Sequence, residues 1–378
     1  MVMPRLANCG QLSAALLCFV VICPVLVEAA EPGERIAPPR LQRTFFPWGK
    51  GTRYETPGKD VPAVTRISES PDGTYVAWGD TGGNIFVSDA GGKHIGLVQD
   101  LASSRPAGKV QGDSGYDSRC IRLKDANTLY WIDWKGAAWK AVLEGVAIKT
   151  KLRLAGSPWS SSGGIIAGDC FIVSAPDTGL KFLFHPYRHV LYKYSLNDGK
   201  LLGTCEIYPP APRRFHGVNA MALSHDGQYL AIASENNAGI VSLDPFCLDR
   251  TLDVSFGCAL AFSPNDDLLA IASSGDKRLR VYDRRIHRFT LETSVPENGV
   301  VFSGVAFTSN GTLWFHYGFH LYCMDIAVGH TMAVLEMPPP ESLYIGAMLY
   351  VGRRDGVVEQ YSMPSPAASE SPPDRIKH

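Results

Sequence analysis

Residues 220–244 read AMALSHDGQYLAIASENNAGIVSLD, and residues 258–283 read CALAFSPNDDLLAIASSGDKRLRVYD. The two stretches align without a gap, so that Asp244 at the end of the first matches Asp283 at the end of the second. Each contains an apolar run, a polar turn, a second apolar run, another polar turn and a final run that ends in Asp. A unit of about 40 residues that recurs along a chain indicates an array of small, similar modules.

The local chemistry of both stretches indicates β-strands that are joined by tight turns. SHDG and SPND contain the Asp, Asn and Gly residues that accept the backbone angles of a hairpin turn. YLAIAS and LLAIAS are short apolar runs, as expected of strands that are buried on both faces. RLRVYD, at residues 278–283, alternates in polarity, which predicts a strand with one exposed face.

Variants of the same unit occur along most of the chain, at residues 64–89, 120–143, 163–196, 303–325 and 343–362. With the opening pair they make seven units. A fourth strand-like run follows most units, such as HIGLVQD, LLGTCEI and TMAVLEM, but the last unit has none. LQRTFF, at residues 41–46, precedes the first full unit, and we predict that it supplies the missing outer strand.

A four-stranded unit of this size cannot bury both of its faces alone, whereas sheets that are arranged around an axis bury each other. The sequence therefore predicts an all-β fold, a seven-bladed β-propeller of four-stranded antiparallel sheets whose ring is closed by an N-terminal strand. Rings of six or eight blades are the alternatives.

Two motifs carry a resemblance to a known family. SSGDKRLRVYD, at residues 273–283, is similar to the end of a WD repeat, with Asp276 in the turn, Arg280 on the strand and Tyr-Asp where WD repeats have Trp-Asp. RRDGVVEQYS places Asp355 in a similar turn. The chain thus resembles the WD40-type propellers, and in particular the YVTN-like repeats of exported bacterial proteins.

The resemblance covers about residues 41–362, and it implies a propeller that acts by binding. Two features depart from the family pattern. No unit ends in Trp-Asp, and no Gly-His pair precedes the first strand of a unit. The hydrogen-bond relay of typical WD repeats is therefore not expected in this chain.

The N-terminal stretch has the layout of a secretory signal peptide. Arg5 is followed by an apolar run and then by small residues at Ala29 and Ala30. We expect a leader at residues 1–30, a linker at 31–40, the propeller at 41–362 and a disordered, Pro/Ser-rich tail at 363–378. The protein is then exported to a periplasm, a cell envelope or the medium. The alternative is an uncleaved membrane anchor, although the apolar run is short for a bilayer span.

The net charge of −1 gives no overall field that would recruit nucleic acid, and no nucleic-acid partner is expected. Six cysteines follow the leader, at wide and irregular spacings without a CxxC motif. Export permits disulfides, but the spacings cannot choose among the possible pairings. The other interpretation is that most are small apolar core residues. These cysteines are Cys120, Cys170, Cys205, Cys247, Cys258 and Cys323.

Two loops stand out as a candidate binding site. APDTGLKFLFHPYRHV, at residues 175–190, is an insertion in the third unit, and YPPAPRRFHGV, at residues 208–218, connects the third unit to the fourth. Propeller topology makes these loops neighbours. They offer basic and aromatic residues that suit carboxylates, phosphates or sugar acids, since the arginine fork donates two parallel hydrogen bonds. The alternative is a solvated loop pair whose arginines meet local carboxylates. The candidate residues are His185, Tyr187, Arg188, His189, Arg213, Arg214 and His216.

Two HxxxH spacings invite a metal interpretation, His185 with His189 and His316 with His320. Neither has the Glu beside the first His that zinc proteases carry, and we expect each pair to bracket a three-residue hairpin turn as cross-strand neighbours. Because zinc wants three or four ligands, we expect structural or surface histidines, without a metal or other cofactor.

Aspartates recur in equivalent turns of different units. They could hold Ca²⁺ near the axis, as in propeller lactonases, but capping of turns is the preferred interpretation. These residues are Asp80, Asp133, Asp276 and Asp355. The sequence also holds no GxSxG elbow and no phosphate-binding loop.

The pattern as a whole favours an exported, non-catalytic binding or scaffold propeller that presents one loop face to an unknown protein or an anionic extracellular ligand. The alternative is a lactonase-like hydrolase with a metal or a His/Asp site in the channel. A third class is a structural component that is held at a membrane by an uncleaved leader. Because a propeller supports many functions, the choice among them rests on the site.

Overall fold

The structure is a computed structural model, and it describes residues 39–45, 63–99, 120–133, 135–156, 163–176, 189–207, 217–234, 237–294, 302–327, 329–337, 342–346, 348–353 and 356–362. These residues form strands, turns and short connections, and no helix occurs among them. Within the same ranges no helix could cross a membrane. The predicted leader, at residues 1–30, and the predicted tail, at 363–378, lie outside the described residues.

The strands are β1 (Arg40–Phe45) and then four per blade. Blade 1 has β2 (Val64–Glu69), β3 (Tyr75–Asp80), β4 (Ile85–Asp89) and β5 (Ile95–Gln99). Blade 2 has β6 (Cys120–Asp125), β7 (Thr128–Ile132), β8 (Ala137–Glu144) and β9 (Ala147–Gly156). Blade 3 has β10 (Gly163–Ala167), β11 (Cys170–Pro176), β12 (His189–Ser195) and β13 (Leu201–Glu206).

Blade 4 has β14 (Ala220–Leu223), β15 (Tyr229–Ala233), β16 (Ala238–Leu243) and β17 (Phe246–Leu252). Blade 5 has β18 (Gly257–Phe262), β19 (Leu268–Ser273), β20 (Arg278–Asp283) and β21 (Arg288–Ser294). Blade 6 has β22 (Phe302–Phe307), β23 (Leu313–Tyr317), β24 (His320–Asp325) and β25 (His330–Glu336). Blade 7 has β26 (Ser342–Ile345), β27 (Leu349–Gly352) and β28 (Val358–Ser362), with β1 as its fourth strand.

All seven sheets are antiparallel, so the predicted seven-bladed β-propeller is confirmed, and so is its closure by an N-terminal strand. β1 pairs with β28, with Thr44 opposite Glu359. The same strand also contacts blade 1, because the guanidinium of Arg43 donates to the carbonyl of Ala90. Phe45 is fully buried in the core between blades 7 and 1. The closing strand therefore joins the last blade to the first.

The hydrophobic core lies between the blades. Each of the seven core clusters combines side chains from two neighbouring blades, and the seventh joins blade 7 to blade 1. The innermost strand of each blade also contacts the innermost strand of the next, around the whole ring. Every blade thus buries both faces against its neighbours, as the sequence argument requires.

The repeated turns of the sequence, Ser-x-Asp in blades 1 and 4 and Ser-x-Asn in blade 5, share one hydrogen-bond pattern. In blade 4 the Ser224 hydroxyl donates to the Asp226 carboxylate at 2.6 Å and accepts from the backbone N–H of Tyr229 at 2.8 Å. Blade 1 has the same arrangement around Ser70, and blade 5 around Ser263. The turn that joins the first two strands of a blade therefore has the same structure in blades 1, 4 and 5, and this explains why its sequence recurs.

The apolar runs are buried as predicted. The prediction of an exposed face for residues 278–283 is wrong, because only Arg278 of that strand is exposed. The third strand of a blade is flanked by a fourth strand and covered by both neighbouring blades. Its polar residue Arg280 is accommodated by ion pairs with Asp276 and with Glu292, the latter at 3.3 Å.

The six cysteines all lie in the described residues and all are free thiols. Cys170, Cys205 and Cys323 are buried, whereas Cys247 is exposed. Burial raises the pKa of Cys205 to about 12 and that of Cys323 to about 11, so both stay protonated and unreactive at neutral pH.

Candidate functional site

The turns between the second and third strands of each blade, and the connections between blades, lie on one face of a propeller, here called the loop face. Its described parts include residues 81–84, 253–256, 274–277 and 318–319. The opposite face, called the turn face, carries the remaining hairpin turns.

The loops that carry the candidate binding residues both begin at one end of blade 3. Pro176 pairs with His189 across the stem of the first loop, and the N–H of Ile207 donates to the carbonyl of His189 at 3.4 Å. Ile207 and Val218, which flank the second loop, are buried in the core cluster between blades 3 and 4. The roots of the two loops are therefore adjacent and firmly packed.

Of the seven candidate residues, only His189 lies in the described residues. Its ring nitrogen Nδ1 lies 3.4 Å from the hydroxyl of Ser174, which is itself fully buried. The ring of His189 therefore lies against the stem of the loop, at Ser174. His185, Tyr187, Arg188, Arg213, Arg214 and His216 lie outside the described residues, and so does the proposed pairing of His185 with His189.

The loop face carries two exposed phenylalanines that the sequence argument did not single out. The exposed fraction is 41% for Phe256, between blades 4 and 5, and 53% for Phe319, in the hairpin turn of blade 6. Among the large apolar side chains that the described residues expose, these are the two aromatic ones. Exposed aromatic side chains are typical of the centre of a protein-binding surface.

Phe256 is held in place by the neighbouring turn of blade 5. Its backbone has a φ of 50°, which is uncommon for a bulky residue, and its carbonyl accepts from Ser274 N–H at 3.0 Å. Gly275 packs so closely that an added Cβ would lie 2.9 Å from the Cβ of Phe256. The glycine permits this contact, and the phenylalanine is presented by a fixed backbone. A glycine in the turn between strands was the only sequence signal for it.

Two of the turn aspartates, Asp80 and Asp133, cap their turns. Asp80 accepts from the backbone N–H of Asn84 at 2.9 Å, and Asp133 accepts from that of Ala137 at 2.9 Å and from the indole N–H of Trp139 at 2.9 Å. Burial opposes ionisation of Asp276, but Arg280 and Ser273 outweigh it and hold the pKa of this carboxyl below its usual range. Asp355 lies outside the described residues. The preferred interpretation, turn capping, is confirmed for Asp80 and Asp133, whereas Asp276 accepts from the side chains of Ser273 and Arg280.

The predicted cross-strand pairing of His316 with His320 is wrong by one residue. Tyr317 is opposite His320, and His316 is opposite Leu321, because the turn contains two residues. Gly318, with a φ of 65°, takes the first central position of this turn, where a left-handed backbone is needed. Opposite residues share a face of the sheet, so the two histidines lie on opposite faces and cannot converge on one ion.

Within the described ranges no group of three or more His, Cys, Asp or Glu side chains is arranged to hold a metal ion. The described part of the site has hydrogen-bonded turns, a packed loop root and exposed aromatic residues. This combination is suited to holding a partner against a rigid surface.

Seven four-stranded blades in a ring define the class of the protein, a seven-bladed β-propeller. Residues 251–283 match the family model described as "WD domain, G-beta repeat" (WD40), and they span the end of β17 and the first three strands of blade 5. The chain is a WD40-like propeller. Propellers of the WD40 type typically serve as scaffolds for protein interactions. No curated protein matches the chain significantly.

Proposed function

We propose that this chain is an exported, non-catalytic scaffold whose loop face binds a protein partner or an anionic extracellular ligand. The observation that carries the proposal is the hydrogen bond between Ile207 and His189, which joins the roots of the two basic loops. Arg188, Arg213 and Arg214 then belong to loops that leave the same end of blade 3. Arginine forks at such a place suit carboxylates, phosphates and sugar acids.

The exposed phenylalanines also favour the loop face as the binding surface. Phe256 and Phe319 supply apolar contact area, and the loop arginines supply charge. Binding surfaces commonly combine an aromatic centre with arginines and a polar rim. A protein partner with an acidic patch would use both features, whereas a small anion would use the arginines alone.

The test compares two double variants of the full chain as baits. Arg213→Ala with Arg214→Ala changes the loop face, and Lys93→Ala with Lys200→Ala removes the same charge from exposed residues of the turn face. Partners captured from the producing organism's envelope fraction are quantified, and thermal shifts are measured with phosphate, citrate and glucuronate. We expect the loop-face variant alone to lose a partner or a shift while its melting temperature stays near that of the wild type. Equal retention by both variants would reject the site.

Export is tested separately by sequencing the N-terminus of the protein that the native organism produces. A mature chain that begins near residue 31 fits a cleaved leader. An intact start at Met1 would contradict cleavage and favour the anchored alternative.

A further inference from the structure

The outer strand of blade 2 differs from the other outer strands in length and exposure. β9 has 10 residues, whereas the outer strands of the other blades have 5 to 7. Its residues from Ala147 to Arg153 are all exposed. It pairs with β8 along one edge, and within the described residues no strand pairs with the other edge. At about 3.3 Å per residue, this edge runs for about 30 Å, and its pairing with β8 is irregular at Lys149 and at Leu154.

The charge of β9 is also distinctive. AIKTKLRLAG contains Lys149, Lys151 and Arg153 at alternate positions and no acidic residue. No other outer strand carries three cations without an acid. Lys149 and Arg153 make no ion pair within the part of the chain that the structure describes. Two of the three charges are therefore available to a partner.

Lys151 is used to fix the strand. Its ammonium lies 5.3 Å from the ring centre of Trp131 and 5.0 Å from that of Trp139, and it donates to Gln99 at 3.1 Å. The two indoles are stacked with their centres 6.0 Å apart. Burial lowers the pKa of Lys151, and the charge of Asp133 works against this shift. The centre of β9, at residues 150–153 between two irregularities of its pairing with β8, is thus tied to blade 2 and to blade 1.

The apolar residues of β9 are only partly covered. Leu152 has an exposed fraction of 60% and Ile148 one of 37%. Lysines on an edge strand keep like edges apart, so a second copy of β9 is repelled. The same charges attract an extended segment that carries acidic residues at alternate positions, and the apolar side chains offer it contact area.

We propose that the free edge of β9 binds an extended acidic segment of a partner protein by strand addition. Backbone hydrogen bonds along the edge hold the segment, and Lys149 and Arg153 select its acidic residues. This site is on the rim of blade 2 and does not depend on the loop face.

The test uses a fluorescein-labelled 12-residue peptide of alternating Glu and Val, with the intact protein, in anisotropy titrations at low salt. We expect saturable binding that slows amide exchange at residues 147–154. A second peptide has N-methyl groups on alternate nitrogens, which keeps the charge but prevents pairing. We expect it to bind about tenfold more weakly, because the backbone hydrogen bonds are lost.

The protein variants are Lys149→Glu with Arg153→Glu, and a matched control, Arg40→Glu with Arg288→Glu, on the outer strands of blades 7 and 5. We expect the first pair to weaken binding about tenfold and the control to leave it nearly unchanged. Circular dichroism verifies that both variants fold. Absence of binding to the wild type, equal binding of the N-methylated peptide, or equal weakening by the control would each overturn the proposal.

Discussion

His316 is a fully buried histidine in the second strand of blade 6, and neither of its ring nitrogens has a hydrogen-bond partner in the described residues. Burial first, and then the charge of His320, lower its pKa to about 4. The backbone of Met337 raises this pKa weakly, but its position relative to the His316 ring does not meet the geometry of a hydrogen bond. The ring is therefore neutral in the folded protein at neutral pH.

This histidine predicts a loss of stability in mild acid. Above pH 6.5 the ring is neutral in both states, whereas between pH 6.5 and 4 only the unfolded chain binds the proton. The free energy of unfolding should fall by about 1.4 kcal/mol per pH unit in this window, or about 3 kcal/mol in total. Urea unfolding of the wild type and of His316→Leu at pH 7 and pH 4.5 measures it.

The leucine variant should lose most of this pH dependence. His287→Asn is the control, because His287 is exposed and has a φ of 55°, which asparagine tolerates. The control should keep the dependence of the wild type. An identical pH dependence in His316→Leu and the wild type would show that the buried ring does not cause it.

At the scale of elements, the outer strand of blade 1 lies close against blade 2. A Cβ at Gly96 of β5 would lie 1.9 Å from the carbonyl oxygen of Val146, which is backbone and cannot rotate away. Gly203, on the outer strand of blade 3, has the wider spacing of 3.4 Å to the side chain of Phe246. Glycine is therefore required at one outer strand and only tolerated at the other.

Gly96→Ala should destabilise the protein by about 1–3 kcal/mol, because the two blades must move apart to admit the methyl group. Gly203→Ala should change the free energy of unfolding by less than about 0.5 kcal/mol, since its contact is an ordinary one. Both values come from urea unfolding at neutral pH. Equal costs for the two variants would mean that the contact between β5 and the turn from β8 to β9 is not tight.

The strands were predictable from the sequence, but the pairing register of the blade 6 hairpin was not. The turns that begin with Ser224 and Ser263, and the apolar runs of blades 4 and 5, recur closely enough to define the strands. The hairpin of blade 6 was misjudged by one residue, because a Gly at the first turn position shortens the loop. The burial of Arg280 was also missed, since its two carboxylate partners come from a turn and from the next strand.

At the scale of the molecule, the ring is predictable from the number of repeats and from the missing fourth strand of the last unit. That inference needs only the rule that a blade must bury both faces. The candidate site was harder to predict. Phe256 depends on a left-handed backbone supported by a glycine in another blade, and such a contact between distant positions leaves no local pattern.

The closed ring gives the loop face its geometry, because it fixes blades 3 and 4 as neighbours on a rigid wheel. Closure depends on β1, which lies far from β28 in sequence and pairs with it directly. Phe45 contributes a fully buried ring to the final interface. If this pairing failed, the wheel would open at the joint between blades 7 and 1.

Cysteine cross-linking across that joint is the most direct test. Thr44 lies opposite Glu359, and directly opposite residues of an antiparallel pair have Cα atoms about 4.5–5.5 Å apart, within the range that a disulfide spans. Mild oxidation of Thr44→Cys with Glu359→Cys should link these two positions within one chain, as peptide mass mapping would show. Thr44→Cys with Ser294→Cys, on blade 5, should not link. A link that forms only between chains, or none at all, would contradict a ring closed by its own N-terminal strand.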